Sequence, residues 1–168
     1  MPANLERLYE EHAQALFAFL LNLTRNEADT RDLLQELFIK LARQPALLAG
    51  VRDPRAYLLR LAHNAAVDQV RRRFTREKHQ DQLSAEAPQI LAPADDLDEQ
   101  SFRQAISAAL GELPPEQRAV VHLKLWEDQT FEAIADTLGI SINTAGSRYR
   151  YGLDKLRQRL RPLYDEIQ

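Results

Sequence analysis

The residues best suited to chemistry form a basic, polar stretch near the end of the chain. Between positions 142 and 161 six basic side chains stand against a single acid, Asp154. Asparagine and arginine can read adenine and guanine edges, whereas serine, threonine, tyrosine and arginine can hold phosphates. The pattern predicts a DNA-binding face, and its alternative is a solvated basic face on a packing helix. The predicted contacts are Asn143, Thr144, Ser147, Arg148, Arg150 and Tyr151.

A helix-turn-helix is the element that would present these side chains. Apolar residues at helical spacing run from Phe131 to Leu138, and Gly139 follows where a helix commonly ends in a left-handed residue. Ser141 or Asn143 can cap the next helix. That helix repeats apolar or small residues at Ala145, Tyr149, Leu153, Leu156 and Leu160. Its other face would then be turned outward, towards DNA.

The first part of the chain predicts a separate three-helix domain. Two amphipathic helical patterns open the chain, and Asp29 or Thr30 can cap the second of them. A loop with two prolines and a glycine spans residues 44–54. The third helix begins near the end of that loop and runs to three consecutive arginines, 71–73. We predict that residues 1–75 form this domain around a leucine core.

The middle of the chain is acidic, which explains a net charge of -3 in a protein with a basic helix. Residues 1–75 carry a net charge of +2, residues 76–99 carry -5, and residues 100–168 are neutral. The acidic stretch has two prolines and few large apolar residues, so we expect a flexible linker that could span about 80 Å when extended. Residues 100–168 form the second helical domain. The fold class is therefore predicted as all-α, with two small domains.

Composition weighs against several other classes of protein. There are no cysteines, and the four histidines are scattered without an HExxH motif or a glycine-rich phosphate loop. We therefore expect no enzyme activity, no metal and no cofactor. No apolar stretch approaches the roughly 20 residues of a membrane span, and no signal peptide is evident. We expect a cytoplasmic protein without membrane insertion.

Four stretches together resemble the extracytoplasmic-function group of bacterial sigma factors. They are the helix from Asp32 to Leu41, residues 60–68 with the arginines 71–73, the segment from Leu113 to Arg118, and residues 139–157. Each stretch is moderately specific alone, but their order and spacing together are hard to obtain by chance. The resemblance covers nearly the whole chain outside the linker. The resemblance implies a sigma domain 2 followed by a sigma domain 4. It also implies a transcription initiation factor that binds RNA polymerase core, through its β′ and β subunits, and promoter DNA.

The resemblance assigns roles to side chains in the first domain. Asp32, Gln35, Glu36 and Lys40 share one face of the second helix, the face that grips the polymerase β′ subunit in the family. The third helix and its preceding loop correspond to the part that melts and captures the proximal, -10 promoter element. Such a site needs cations for phosphate and a pocket for an extruded base. The predicted contacts are Arg60, Asn64, Arg71, Arg72 and Arg73.

The resemblance assigns the helix-turn-helix to the distal, -35 element, with two departures from the family pattern. Tyr57 stands where relatives often carry tryptophan, and Gly146 stands where a basic residue is frequent. Tyr57 still offers a stacking ring or could be core, while Gly146 removes one expected phosphate contact. The acidic linker is expected either to thread towards the RNA exit path or to act as a solubilising tether. The family also often uses a sequestering anti-sigma factor, which we expect as a further partner.

One rival interpretation fits the helix-turn-helix alone. The chain could be a transcription regulator that binds operator DNA without polymerase, its first domain serving for dimerisation or sensing. A sigma factor would copurify with core polymerase and direct specific initiation, whereas an autonomous regulator would bind duplex operator by itself.

Overall fold

The fold is all-α, as the composition predicts. The computed structural model describes residues 3–77 and 97–167, and these contain helices and turns but no strand. The chain divides into two compact units, Met1–Ser84 and Ala85–Gln168. The first contains α1 (Ala3–Thr24), α2 (Glu27–Arg43), a 3₁₀ helix (Pro45–Leu48) and α3 (Pro54–Glu77). The second contains α4 (Leu97–Gly111), α5 (Pro115–Leu125), α6 (Phe131–Leu138) and α7 (Ile142–Ile167).

The domain boundaries 1–75, 76–99 and 100–168 stay predictions. Most of the expected linker lies outside the described residues. At its two ends, α3 continues to Glu77 and α4 begins at Leu97.

The first unit is a three-helix bundle in which α1 packs on both α2 and α3. Its core is leucine-rich, as expected, with Phe19, Leu20, Leu41 and Leu58 almost fully buried. The cap of α2 differs from the expectation of Asp29 or Thr30. Asn26 caps the helix, its side chain accepting the Asp29 N–H at 2.9 Å, while Thr30 is buried and donates its hydroxyl to the Asn26 carbonyl. A threonine one turn inside a helix can satisfy its hydroxyl in this way, so it no longer competes for the cap position.

The helix-turn-helix forms as the sequence predicts. Thr130 caps α6 by accepting the Ala133 N–H, and Gly139 ends it with a φ of 69°, a left-handed value at which glycine has no steric penalty. Ser141 rather than Asn143 caps α7, its hydroxyl accepting the Thr144 N–H at 3.0 Å. The cap and the turn together fix where the second helix begins.

A buried arginine joins α4 to α5. Arg118 is only 5% exposed, and its guanidinium donates to the carbonyls of Leu110, Gly111 and Leu113. Leu110 and Gly111 are the last two residues of α4, where carbonyls lack intrahelical donors, and Leu113 lies in the turn that follows. The side chain therefore adds donors at this helix end and holds the turn between α4 and α5.

The two glycines of α7 have opposite surroundings and predict opposite stability effects. A Cβ at Gly152 would lie 2.8 Å from Cγ2 of Val121, which is fully buried on α5, whereas a Cβ at Gly146 would meet nothing within 4 Å. We expect Gly146→Ala to stabilise the second unit by up to about 1 kcal/mol through helix propensity. Gly152→Ala gains the same propensity but adds overpacking that costs about 1–3 kcal/mol.

Denaturant unfolding followed by the fluorescence of the single tryptophan, Trp126, would compare these two variants. Gly146→Ala is expected to be the more stable by about 2 kcal/mol. Equal stabilisation by both changes would show that α5 and α7 accommodate the added methyl group without a loss of packing energy.

Candidate nucleic-acid interface

The recognition surface of the second unit is the outward face of α7. Ala145 and Gly152 are buried on the inner face, while Asn143, Arg150 and Tyr151 are exposed. Tyr151 is 61% exposed, and the Arg150 guanidinium lies 5.8 Å from the centre of its ring. Stacking of this kind orients a guanidinium without removing its donors. The outward face therefore presents amide, guanidinium and phenol groups that can contact DNA.

The remaining predicted contacts of α7 lie beside this face. Thr144, Ser147 and Arg148 are partly buried, and the Thr144 hydroxyl accepts a hydrogen bond from Ser141 at 2.8 Å. Since the free N–H groups and the positive end of the helix dipole lie at this terminus, anions are favoured here. All six predicted residues thus lie on the first three turns of one helix.

The basic charge further along α7 is partly offset by acids. Arg157 lies 3.7 Å from Asp154, and Arg159 lies 2.6 Å from Glu112 at the end of α4. The number of arginines in the sequence therefore overstates the charge available to phosphate at this end of the helix.

The basic residues of α3 fall on two different sides of that helix. Arg60, Asn64 and Arg71 are four and seven residues apart, so they share one side, and all three are exposed. Arg73 follows the buried Ala66 by seven residues and therefore projects from the side of α3 that packs in the bundle. Its Nη1 lies 2.7 Å from Oδ2 of Asp29 on α2. The structure thus groups three of the five predicted side chains and places the other two, Arg72 and Arg73, in a cleft that α3 shares with α2.

Tyr57 and the preceding loop lie at the start of α3. Asp53 caps this helix, accepting the Ala56 N–H at 3.2 Å, and Tyr57 in the first turn is partly buried. The ring therefore keeps some exposed surface for stacking.

The predicted polymerase-binding face is an exposed ridge along α2. Asp32, Gln35, Glu36 and Lys40 are all exposed, as the spacing predicts. Ile39, which was not among the predicted contacts, also lies within the ridge and is 40% exposed. Its position four residues after Gln35 was the available signal.

An apolar groove of about 640 Å³ runs beside this ridge, between α1 and α2. Ile39 lines it together with Phe17 and Phe38, and the exposed Tyr9 makes an edge contact with Phe38 at 5.0 Å between ring centres. Exposed apolar surface of this kind next to a charged ridge is typical of protein interfaces.

The second unit carries an apolar groove of about 750 Å³ between α4, α5 and α7. Leu125 and Trp126 are exposed along it, and Arg157 and Arg161 lie at its edge. His122 stacks on Trp126 at 5.4 Å, and burial lowers the pKa of His122 to about 4, so the ring is neutral at physiological pH. Sequence reasoning missed this groove because its walls come from three different helices, and α7 lies well after α4 and α5 in the sequence.

The described ranges contain no group of three or more His, Cys, Asp or Glu side chains that is arranged to hold a metal ion. Across residues 3–77 and 97–167, no helix is both long and apolar enough to cross a membrane.

Both units match family models. Residues 8–75 match the model described as Sigma-70 region 2, and residues 109–158 match Sigma-70, region 4.

Similar proteins match over nearly the full length. The chain is 30% identical over 162 residues to the "ECF RNA polymerase sigma factor SigL" of Mycobacterium tuberculosis, covering 96% of this chain and 91% of that protein. It is 33% identical over 162 residues to the "RNA polymerase sigma factor CarQ" of Myxococcus xanthus, covering 96% and 92%. The sigma factor RpoE of Bartonella quintana, solved in complex with the anti-sigma factor NepR, has a similar fold. Its TM-score is 0.77 at 22% identity, over 94% of this chain and 97% of that one.

Proposed function

Because this chain belongs to the extracytoplasmic-function group of the sigma-70 family, we propose that its two units divide the work of promoter recognition between them. The ridge of α2 binds the polymerase β′ subunit, and the adjoining Ile39 groove supplies apolar contact area. The exposed side of α3 captures the melted -10 strand. The outward face of α7 reads the -35 element in duplex DNA. The protein acts as a regulatory factor in the cytoplasm rather than as an enzyme.

The observation that carries this proposal is that the first unit presents exposed acids on α2 and an exposed basic side on α3. Asp32 and Glu36 are exposed on α2, and Arg60 and Arg71 are exposed on α3 of the same unit. Phosphate is attracted to cations and repelled by carboxylates, so DNA is favoured on α3 and a cationic protein surface on α2. One small unit can therefore hold polymerase and a DNA strand at the same time.

We also propose that the apolar groove of the second unit holds the polymerase β subunit. An amphipathic helix with acidic flanks would bury its apolar side against Leu125 and Trp126 and pair with Arg157 and Arg161. The expected anti-sigma factor would inhibit the protein by covering this groove or the α2 ridge.

The test is run-off transcription with purified core polymerase, followed by mapping of the start sites. We expect transcripts that start at specific sites and that appear only when this chain is added to core polymerase. Specific binding of duplex DNA by the isolated chain, with no effect on polymerase, would instead support the autonomous regulator. That rival is not favoured, because the match to sigma-70 models includes the unit that an operator-binding protein does not need.

Shortening two side chains of the recognition helix α7 is expected to weaken recognition of the -35 element. Asn143→Ala and Arg148→Ala each remove hydrogen-bonding groups, and each lost base contact costs about 1–3 kcal/mol of discrimination. Binding of the holoenzyme to promoter DNA with an intact or scrambled -35 element would measure this loss. Arg103→Ala, an arginine on α4 paired with Glu99, is the control. Unchanged transcription from the cognate promoter in both variants would show that these residues do not read the element.

A further inference from the structure

A charged cleft of about 450 Å³ separates α2 from α3. Four carboxylates and three guanidinium groups line it; they are Asp29, Asp32, Glu36, Asp68, Arg72, Arg73 and Arg76. The direct contact across the cleft is the ion pair between Arg73 and Asp29, at 2.7 Å. The Asp29 side chain is 20% exposed and that of Arg73 is 45% exposed, so water screens this pair less than a fully exposed one.

The two partners lie at different places along their helices. Asp29 lies in the first turn of α2, and its own N–H donates to the capping side chain of Asn26. Its carboxylate is also favoured there by the positive end of the helix dipole. Arg73 lies one turn before the end of α3, eleven residues after the buried Ala62. The pair therefore links the capped start of α2 to the less buried end of α3.

We propose that Asp29 is a positioning residue. Its ion pair with Arg73, called the strut below, fixes the basic end of α3 for the promoter strand. This inference rests on the proposed role of α3 in capturing the -10 element. Arg60, Asn64 and Arg71 then supply the DNA contacts, and Arg73 supplies none. A phosphate at Arg73 would have to displace a preformed carboxylate on the side of α3 that faces α2. Arg71, two residues earlier, projects from the opposite side, so its placement depends on how the end of the helix is held.

A reciprocal charge exchange tests the strut in the full chain assembled with core polymerase. Asp29→Arg brings two guanidinium groups together, and Arg73→Asp adds a carboxylate to a cleft that already has four. Each single change is expected to slow open-complex formation about tenfold, the size of effect seen for directly coupled groups. The double exchange restores the pair in reverse and is expected to return the rate to within about twofold of the original. Glu27→Arg, an exposed acid in the same helical turn, controls for loss of the helix-dipole effect.

A second measurement distinguishes a strut from a phosphate contact and does not depend on the charge exchange folding correctly. Holoenzyme binding to single-stranded -10 DNA is measured against salt concentration for Arg71→Gln and Arg73→Gln. Loss of one phosphate contact lowers the slope of log K against log salt by about 0.7 for single strands. We expect this change for Arg71→Gln and an unchanged slope for Arg73→Gln.

Two results would overturn the strut. They are failure of the double exchange to restore the rate, and a reduced salt slope in Arg73→Gln equal to that of Arg71→Gln. In both cases the unaltered chain still initiates transcription, so the proposed function survives. If the unaltered chain does not direct initiation at all, the proposed function fails and the strut fails with it.

Discussion

Arg118→Ala is expected to lower the free energy of unfolding of the second unit by about 3–5 kcal/mol. The guanidinium donates to three carbonyls at the end of α4, and the bonds to Leu110 and Leu113 are 2.9 and 2.8 Å long. Hydrogen bonds from a charged donor contribute about 1.5–3 kcal/mol each, and the carbonyls of the buried residues Leu110 and Leu113 lose this donor. In a unit of this size such a loss is a large fraction of the total stability.

The sole tryptophan, Trp126, makes the measurement specific, because it lies at the end of α5 in the second unit. Urea unfolding of the full chain followed by its fluorescence reports that unit. The matched control is Arg159→Ala, which removes another arginine that contacts the end of α4, through Glu112. Both of those side chains are about half exposed, so the control is expected to cost no more than about 1 kcal/mol. Similar losses in the two variants would mean that Arg118 acts only as one more surface charge.

The role of Arg118 also shows where sequence reasoning stops. The segment from Leu113 to Arg118 carries part of the family resemblance, yet nothing local says that the arginine turns back onto α4. Its partners are five to eight residues earlier, across two prolines that reverse the chain. A charged residue in a helical pattern is normally expected at the surface, and only the folded turn brings three carbonyls within reach of this side chain.

The helix-turn-helix was predictable because its determinants are local. Helical spacing selects the buried positions of α6 and α7, and Gly139 supplies the left-handed residue between them. The cap was predictable only to within two positions, Ser141 or Asn143, since both residue types accept the same hydrogen bond. The spacing of Arg60, Asn64 and Arg71 could likewise have been read as one side of α3. The pairing of Arg73 with Asp29 could not have been predicted from the sequence, because those residues lie on different helices.

The grooves were the least predictable part of the candidate interfaces. Tyr9 fits the apolar spacing of α1 but is 46% exposed, and Trp126 follows an apolar pattern but is 40% exposed. Periodicity identifies a face that avoids water without saying which protein covers it. An apolar residue left for a partner therefore has the same sequence signature as one buried in the core.

Charge reversal of Asp32 and Glu36 to lysine is expected to weaken core polymerase binding at least about 30-fold, since disrupted interfacial charge pairs cost about 2–5 kcal/mol. The two carboxylates lie four residues apart on the exposed ridge of α2. Their replacement would turn an attraction for a cationic partner into repulsion. Both side chains are exposed but also line the cleft that contains Arg72, Arg73 and Arg76, so the first unit is expected to lose some stability and to remain folded. Titration of labelled core polymerase with the full chain would measure the affinity, and circular dichroism would check the helices.

Glu6 and Glu10 on α1 provide the matched control for that double reversal. They are exposed acids with the same four-residue spacing, so lysine at both positions changes the net charge by the same amount. A general electrostatic effect on polymerase binding would appear equally in both double variants, whereas a specific ridge contact predicts a loss confined to Asp32 and Glu36. Addition of Ile39→Ala should deepen that loss if the apolar groove belongs to the same interface, because a buried aliphatic contact does not depend on charge. Normal affinity in the Asp32 and Glu36 variant would place the polymerase contact on another surface of the first unit.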